Sequence, residues 1–469
     1  MWTGGQRLCR YDTIREMTQL RALVVLLACC LPLAGQIPDD EPVTLSTAHP
    51  RLLLRPARLR LLRRERERDS MRWQQFHSLV SGGAPMPEPG FALALDYQIA
   101  GDADSGRKAL NWALGGSSDL RQLALVYDWC QDLMNETQRH ELAARIAKSM
   151  AATENDASVS AARSRAMAAV ALFDEVPDAP QKELASIVHT WWEKQTAVAL
   201  RQGRTVIARR DAYPLFELLH VIRDNTNFDL RESCVQFFKD YPIEHLLSYY
   251  PAPMQGPDTE YYIGADRATG EPDLRQAALS RAAELAMVAF DTNAASTQVI
   301  QGWLMHDRYI LHGTFGAPYE FLWANPYQPG LSYYHVPLVY HNPDFGRLFI
   351  RSNWEDGARW FGDFDGVMQL FEAGKVSVVD PARAQPLGLT EAVVCFGSRA
   401  RRFDVKLDEE EAVFVVGLEP RHTYLVEIDD EEMDEAVADP GGIIRLTPPH
   451  GKAVGIRLSE ATAETLPAH

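Results

Sequence analysis

Apolar residues recur at helical spacing through the first two-thirds of the chain and at alternating spacing through the last third. Leu53, Leu54, Leu59, Leu61 and Leu62 lie among arginines up to Asp69 and form the first amphipathic run, which Pro85, Pro87 and Pro89 interrupt. The segment 91–100 is apolar on nearly every side and closes at Gly101-Asp102, the pattern of a buried helix that ends in glycine. Residues 120–133 and 141–150 predict a helical pair, with Asn135-Glu136-Thr137 as the turn and Thr137 as the cap of the second helix. Further helices are predicted over 158–173, 180–200, 213–223, 230–240, 274–290 and 297–311. About a dozen helices joined by short polar turns, with no fixed repeat period, predict paired helices in a toroid of about six hairpins rather than a short-period array.

The pattern changes near Ala324, where Asn325-Pro326-Tyr327-Gln328-Pro329-Gly330 is rich in turn formers. Ten short alternating runs follow, at 336–340, 347–352, 359–364, 367–371, 375–379, 391–396, 412–416, 424–428, 442–446 and 453–458. That spacing predicts an antiparallel β-sandwich. The expected fold is therefore α+β and multidomain, with an α/α toroid over 45–324 and a sandwich over 325–469. The acidic runs 408–411 and 429–432 read as solvated turns.

Composition refines this picture in a few places. With 46% hydrophobic residues in 469, the chain can bury large cores. A formal charge of −17 argues against nucleic acid as a partner, because phosphate binding needs cationic surfaces, but a local basic cleft can still hold an anionic sugar. Arg21 precedes an apolar stretch, 22–35, that ends in small residues; residues 1–36 read as a signal peptide, with Met17 as an alternative start. The stretch is short for a span, so export to the periplasm or medium without stable membrane insertion is expected. Of six cysteines, Cys130, Cys234 and Cys395 remain after cleavage; their spacing fits neither a disulfide framework nor a metal site, and they read as small buried hydrophobes. No cofactor or metal is expected.

Several motifs, in order, are similar to those of the heparinase II/III-like and alginate lyase-type polysaccharide lyases. His49-Pro50-Arg51-Leu52-Leu53-Leu54 resembles the opening of their toroid, and the apolar segment ending at Gly101-Asp102 resembles its second element. Leu123-Ala124-Leu125-Val126-Tyr127-Asp128-Trp129-Cys130 resembles their "LALAYDWL" helix. Glu154-Asn155-Asp156-Ala157-Ser158-Val159 occupies the place of their Asn-containing cleft motif, and Gln255-Gly256-Pro257-Asp258-Thr259-Glu260-Tyr261-Tyr262 resembles their "P-D-G-x-x-E-x-x-Y" loop. Arg351-Ser352-Asn353-Trp354 matches "RS-x-W" in their first sandwich strands. The chain departs from the pattern twice. Asp156 stands where those lyases carry a His beside the Asn, and Phe361-Gly362-Asp363-Phe364-Asp365-Gly366-Val367-Met368-Gln369 contains no His where they have an H-x-H-x-D loop.

The resemblance implies β-elimination on an acidic, uronate-containing polysaccharide. Such a reaction needs a donor for the charge on the carboxylate, a base for the α proton and an acid for the leaving oxygen. Asn155 is the candidate donor, with capping of the next helix as its structural alternative. Tyr213 is the candidate base or acid, and Arg209 and Arg210 beside it would lower its pKa or clamp a carboxylate. His220 follows two turns later on nearly the same face. Asp258, Glu260, Tyr261 and Tyr262 form an acid–aromatic loop suited to sugars, and Trp303, His306 and Asp307 share one late helix. Asp363 and Asp365 are a weaker carboxylate pair, read mainly as turn residues. Two other readings stand beside the lyase: a non-catalytic carbohydrate-binding or envelope protein, and a glycoside hydrolase on a helical toroid.

Overall fold

The computed structural model describes residues 37–38, 41–45, 48–257, 259–268, 270–306, 312–408, 411–429, 434–449 and 451–460. The expected signal peptide, Asp258, Asp307 and parts of both acidic runs lie outside the described residues. No helix among those described is long and apolar enough to cross a membrane.

The first part of the chain is helical: α1 (Pro56–Glu67), α2 (Met71–Ser81), α3 (Pro89–Ala100), α4 (Ala103–Leu114), α5 (Leu120–Trp129), α6 (Glu136–Ala152), α7 (Val159–Leu172) and α8 (Ala179–Ala185). Helix α8 runs through a π-helical stretch, Ser186–Thr196, into α9 (Ala197–Arg201). Then come α10 (Ala212–Asn225), α11 (Val235–Leu247), a small hairpin of β1 (Met254–Gln255) and β2 (Glu260–Tyr261), α12 (Leu274–Phe290), α13 (Ala295–His306) and α14 (Gly313–Trp323). The cap of α6 is Asn135, which forms a capping box with Gln138, rather than Thr137.

Six of these helices follow a closed packing order. Helix α3 packs on α5, α5 on α7, α7 on α10, α10 on α12 and α12 on α14, while α14 returns to α3 and α2. Several of the remaining helices lie against these six, as α4 on α3 and α13 on α12. This explains a feature of the sequence. Helix α12 is buried from Ala277 to Phe290 except at Leu279, because neighbours cover it on several sides, and alanines there and in α7 let the backbones approach closely.

The β part is three sheets. One is the meander β3 (Val339–Asn342), β4 (Arg347–Arg351), β5 (Trp360–Phe364), β6 (Val367–Glu372) and β7 (Lys375–Val378). The second, in spatial order β14-β11-β9-β8, joins β8 (Leu387–Leu389), β9 (Ala392–Phe396), β11 (Ala412–Val416) and β14 (Ile444–Leu446). The third, in order β10-β15-β12-β13, joins β10 (Arg402–Lys406), β12 (Thr423–Ile428), β13 (Asp434–Val437) and β15 (Ala453–Glu460).

Side-chain alternation sets the layers. In β4, Phe349 joins the helical core, as do Trp360, Phe364 and Phe371, while Leu348 and Ile350 face the second sheet. In β9 and β11, Val394, Phe396, Phe414 and Val416 face the first sheet, and Val393, Cys395, Val413 and Val415 face the third. The stack is thus helices, sheet, sheet, sheet. The expectation of antiparallel pairing fails at one place, because β9 and β11 pair in parallel. The runs at β8, β10 and β13 went unpredicted: β8 is three residues long, β10 carries charges at alternate positions, and β13 opens with two adjacent acids.

Candidate functional site

Residues near the starts of several of these helices meet in a largely buried polar network. Arg121, the second residue of α5, donates from Nε and Nη2 to the two carboxylate oxygens of Glu217, each at 2.8 Å. Arg163 of α7 donates to the same carboxylate, and Tyr213, the second residue of α10, donates its hydroxyl at 2.8 Å. Trp323 of α14 donates in turn to the Tyr213 oxygen at 3.1 Å. Arg121 also reaches Glu88, just before α3, at 3.0 Å, where Tyr319 of α14 donates at 2.6 Å and Arg275, the second residue of α12, lies at 3.6 Å. Glu88, Arg121, Tyr213 and Arg275 stand at or next to helix starts, so these helices bring their N-terminal ends together.

This network fixes the chemistry of Tyr213. Burial alone would raise the Glu217 carboxyl, but Arg121 and Arg163 outweigh it and hold it at about 2. Burial and then the Glu217 charge push the Tyr213 phenol well above its ordinary value. Arg209 and Arg210 do not bond to it, and a phenol that already donates to a carboxylate in a closed core is a poor base. The expectation that the two arginines lower the Tyr213 pKa is corrected on that ground, and their alternative role as a carboxylate clamp is untouched by it.

His220 is buried too. Its Nε2 lies 3.0 Å from the carbonyl of Ala286, its ring packs on Trp323 and Phe290, and burial lowers its pKa. A histidine whose Nε2–H is spent on a backbone carbonyl holds helices together. Asn155 lies on an exposed turn. It does not cap α7; Ser158 does, accepting from the amide of Ala161, while Asp156 accepts from the amide of Ser158.

Arg209 and Arg210 border an open cleft of about 720 Å³. Its walls come from the turn before α10, the segment after α11, the first half of α12 and the β6–β7 turn. Arg209 is pinned: it donates to the carbonyl of His245 at 2.8 Å and to the Ser248 hydroxyl, and its guanidinium lies 4.0 Å from the Tyr249 ring centre. Gly264 permits this, since a Cβ there would come within 1.9 Å of Arg209 Nε. Arg210 is exposed and has no ion-pair partner among the described residues. Lys375 adds a third cation, Asp266 and Glu271 add exposed carboxylates, and Tyr250, Ile263, Phe371 and Val376 supply apolar surface. The wall between helices and sheet is tied by Tyr250 donating to Gln369 at 2.7 Å and Gln369 donating to the carbonyl of Asp266 at 2.7 Å.

The aromatic loop packs rather than opens. Tyr262 meets Trp303 edge-on at 4.6 Å and donates to Asp356 at 3.3 Å. Trp303 is buried among Tyr249, Tyr262 and Tyr333, with the exposed His306 stacked at its edge. Tyr249 links this cluster to Arg209, so Arg209, Tyr262 and Trp303 come together through a residue that the sequence did not single out. Tyr261 covers Gly256, and Glu260 is exposed opposite Gln255 on the hairpin.

Among the described residues no group of three His, Cys, Asp or Glu side chains could hold a metal ion. Cys130, Cys234 and Cys395 are buried and unpaired. Asp365 sits with Gly366 in the β5–β6 turn, both at positive φ, and pairs with Arg347. Asp363 is buried in β5, away from that turn. Burial and then Asp439 push its carboxyl up to about 8, and its Oδ2 has no partner among the described residues.

Sequence reasoning missed Glu88, Arg121, Arg163 and Glu217, and also His245, whose Nε2 lies 3.3 Å from the buried carboxylate of Glu284 in α12. The signal was present: Glu217 lies in Leu215-Phe216-Glu217-Leu218-Leu219 and Glu284 in Ala282-Ala283-Glu284-Leu285-Ala286, single charges inside apolar runs. A charge there must find a buried partner.

No family model matches this chain, and no curated protein matches it. A solved structure described as a glycoside hydrolase is similar at 11% identity with a TM-score of 0.32, covering 91% of this chain and 79% of that one. What the site can do therefore follows from its own geometry.

Proposed function

We propose that this chain is an exported carbohydrate-active protein that binds an acidic polysaccharide in the cleft between its helices and first sheet. In this reading the closed packing order is a toroid of six helical hairpins over 45–324, and the stacked sheets form a separate β unit after it. The observation that carries the proposal is Arg210, an exposed guanidinium without an ion-pair partner among the described residues, at the mouth of a 720 Å³ cleft. A planar guanidinium suits a sugar carboxylate, and it stands near the ends of helices whose N-termini favour negative charge.

The resemblance to the heparinase II/III-like lyases supports β-elimination as the reaction. Arg210, with Arg209 held beside it, would stabilise the charge that builds on the uronate carboxylate once the α proton leaves. Tyr213 and His220 then act as positioning residues that hold the ring helices. Hydrolysis is the second reading, favoured by the exposed Asp266 and Glu271 on the cleft wall.

Incubating the protein with uronate polysaccharides separates the readings. New ultraviolet absorbance from an unsaturated uronate supports elimination; reducing ends without that absorbance support hydrolysis. Binding without cleavage supports a non-catalytic carbohydrate-binding protein. Absence of binding to any acidic polysaccharide overturns the proposal.

A further inference from the structure

Arg209, which borders the cleft, is a cation held by neutral groups. Its Nη1 donates to the His245 carbonyl and to the Ser248 hydroxyl, its Nη2 lies 3.2 Å from His245 Nε2, and its guanidinium stacks on the Tyr249 ring. Among the described residues it forms no ion pair; the nearby carboxylate, Glu284 of α12, is buried and lies 3.3 Å from the same Nε2. Glu284 Oε2 receives Arg281 at 3.0 Å, whereas Oε1 accepts no hydrogen bond among the described residues.

One imidazole nitrogen therefore stands between a cation and an anion. A guanidinium only donates, so Nε2 faces Arg209 with its lone pair, and the ring carries its proton on Nδ1. A lone pair has nothing to give to Glu284, in keeping with the unbonded Oε1. Burial and then Arg209 lower the His245 pKa to about 4, so the ring is neutral near neutral pH. In direct contact, Arg209 and Glu284 would neutralise each other, and attraction between opposite charges is strong where water is excluded. Of the arginine pair, only Arg210 would then face a ligand. The neutral ring prevents that contact, and Gly264 leaves the guanidinium its room in the cleft wall.

We propose that His245 is a positioning residue for the cleft: standing between Arg209 and Glu284, it keeps the arginine available to an acidic ligand instead of to the protein's own carboxylate. His245 touches no ligand; its effect passes through Arg209. The ligand is the uronate carboxylate proposed for the cleft, so the inference rests on that reading and adds the residue that sets the availability of its second arginine.

The test is calorimetric titration of the full chain with oligogalacturonates. His245→Ala is expected to bind roughly tenfold more weakly, because Arg209 turns to Glu284 and a charge-assisted contact with the ligand is lost. His245→Gln keeps an acceptor and bulk at the same place and is expected to restore most of the affinity. His245→Ala combined with Glu284→Gln is expected to recover binding although it is the less stable chain, since the competing charge is gone. A histidine with a merely structural role gives the reverse, affinity falling with stability and no recovery in the double variant, and that result overturns the proposal. Should His245→Ala fold poorly, nitrogen NMR of the labelled unaltered chain decides, with the His245 signal assigned by its loss in His245→Gln. An Nε2 without a proton at neutral pH is expected, and a protonated Nε2 overturns the proposal. Undiminished affinity in His245→Ala overturns it too and leaves the cleft reading standing, whereas failure of the unaltered chain to bind removes both.

Discussion

The network around Glu217 and the cleft at Arg210 hold the same kinds of residue to opposite effect. At the centre of the network Glu217 and Arg121 are buried and answered: Glu217 receives two arginines and a tyrosine, and Arg121 is shared with Glu88. At the cleft Arg210 and Lys375 are exposed. A satisfied buried charge holds helices together, whereas an exposed cation beside a cavity is available to a ligand. Residue type alone does not separate the two; burial and partnership do.

Substitutions should split the regions cleanly. The largest effect is expected for Glu217→Ala, which leaves Arg121 and Arg163 buried without their shared anion and should destabilise the fold by about 3–5 kcal/mol in a denaturant titration. The same network sets a pH dependence. Because the Glu217 carboxyl is depressed to about 2 in the folded chain, its contribution is full above its unfolded value near 4.5 and is lost as pH falls through 2. Glu217→Gln should flatten that acid limb of the stability curve.

Asp363 should behave in the reverse sense. Its folded pKa is raised to about 8, so stability falls as pH climbs from the ordinary carboxylate range towards 8. Asp363→Asn should remove that slope and stabilise the chain at pH 8 by on the order of 1–3 kcal/mol, read from thermal midpoints across pH. Gly264→Ala should displace Arg209 from His245 and Ser248, cost about 1–3 kcal/mol and weaken saccharide binding together with stability. Arg210→Ala should change stability least, within about 0.5 kcal/mol, while abolishing acidic saccharide binding. A large stability loss there would place Arg210 with the network instead.

Helical and β regions were legible from periodicity because each period matches one mode of burial. The layering into three sheets was not, since Val393 and Val394 look alike in sequence and differ only in which sheet they meet. Arg209 and Arg210 were legible as a cationic pair at a helix start, but the buried setting of Tyr213 was not, because its partner Glu217, one turn on, belongs to no motif. Only the packing of α5 on α7 and of α7 on α10 shows that Arg121 and Arg163 also point there. Tyr249, which joins Arg209 to Trp303, carries no motif at all.

The most direct test is a structure of the chain with a bound uronate oligosaccharide. The account predicts a sugar carboxylate within about 2.7–2.9 Å of the Arg210 guanidinium, with the Glu217 network unchanged beneath it. A saccharide seated elsewhere, or one that reaches Tyr213 and displaces Glu217 from it, would contradict the division between the two regions.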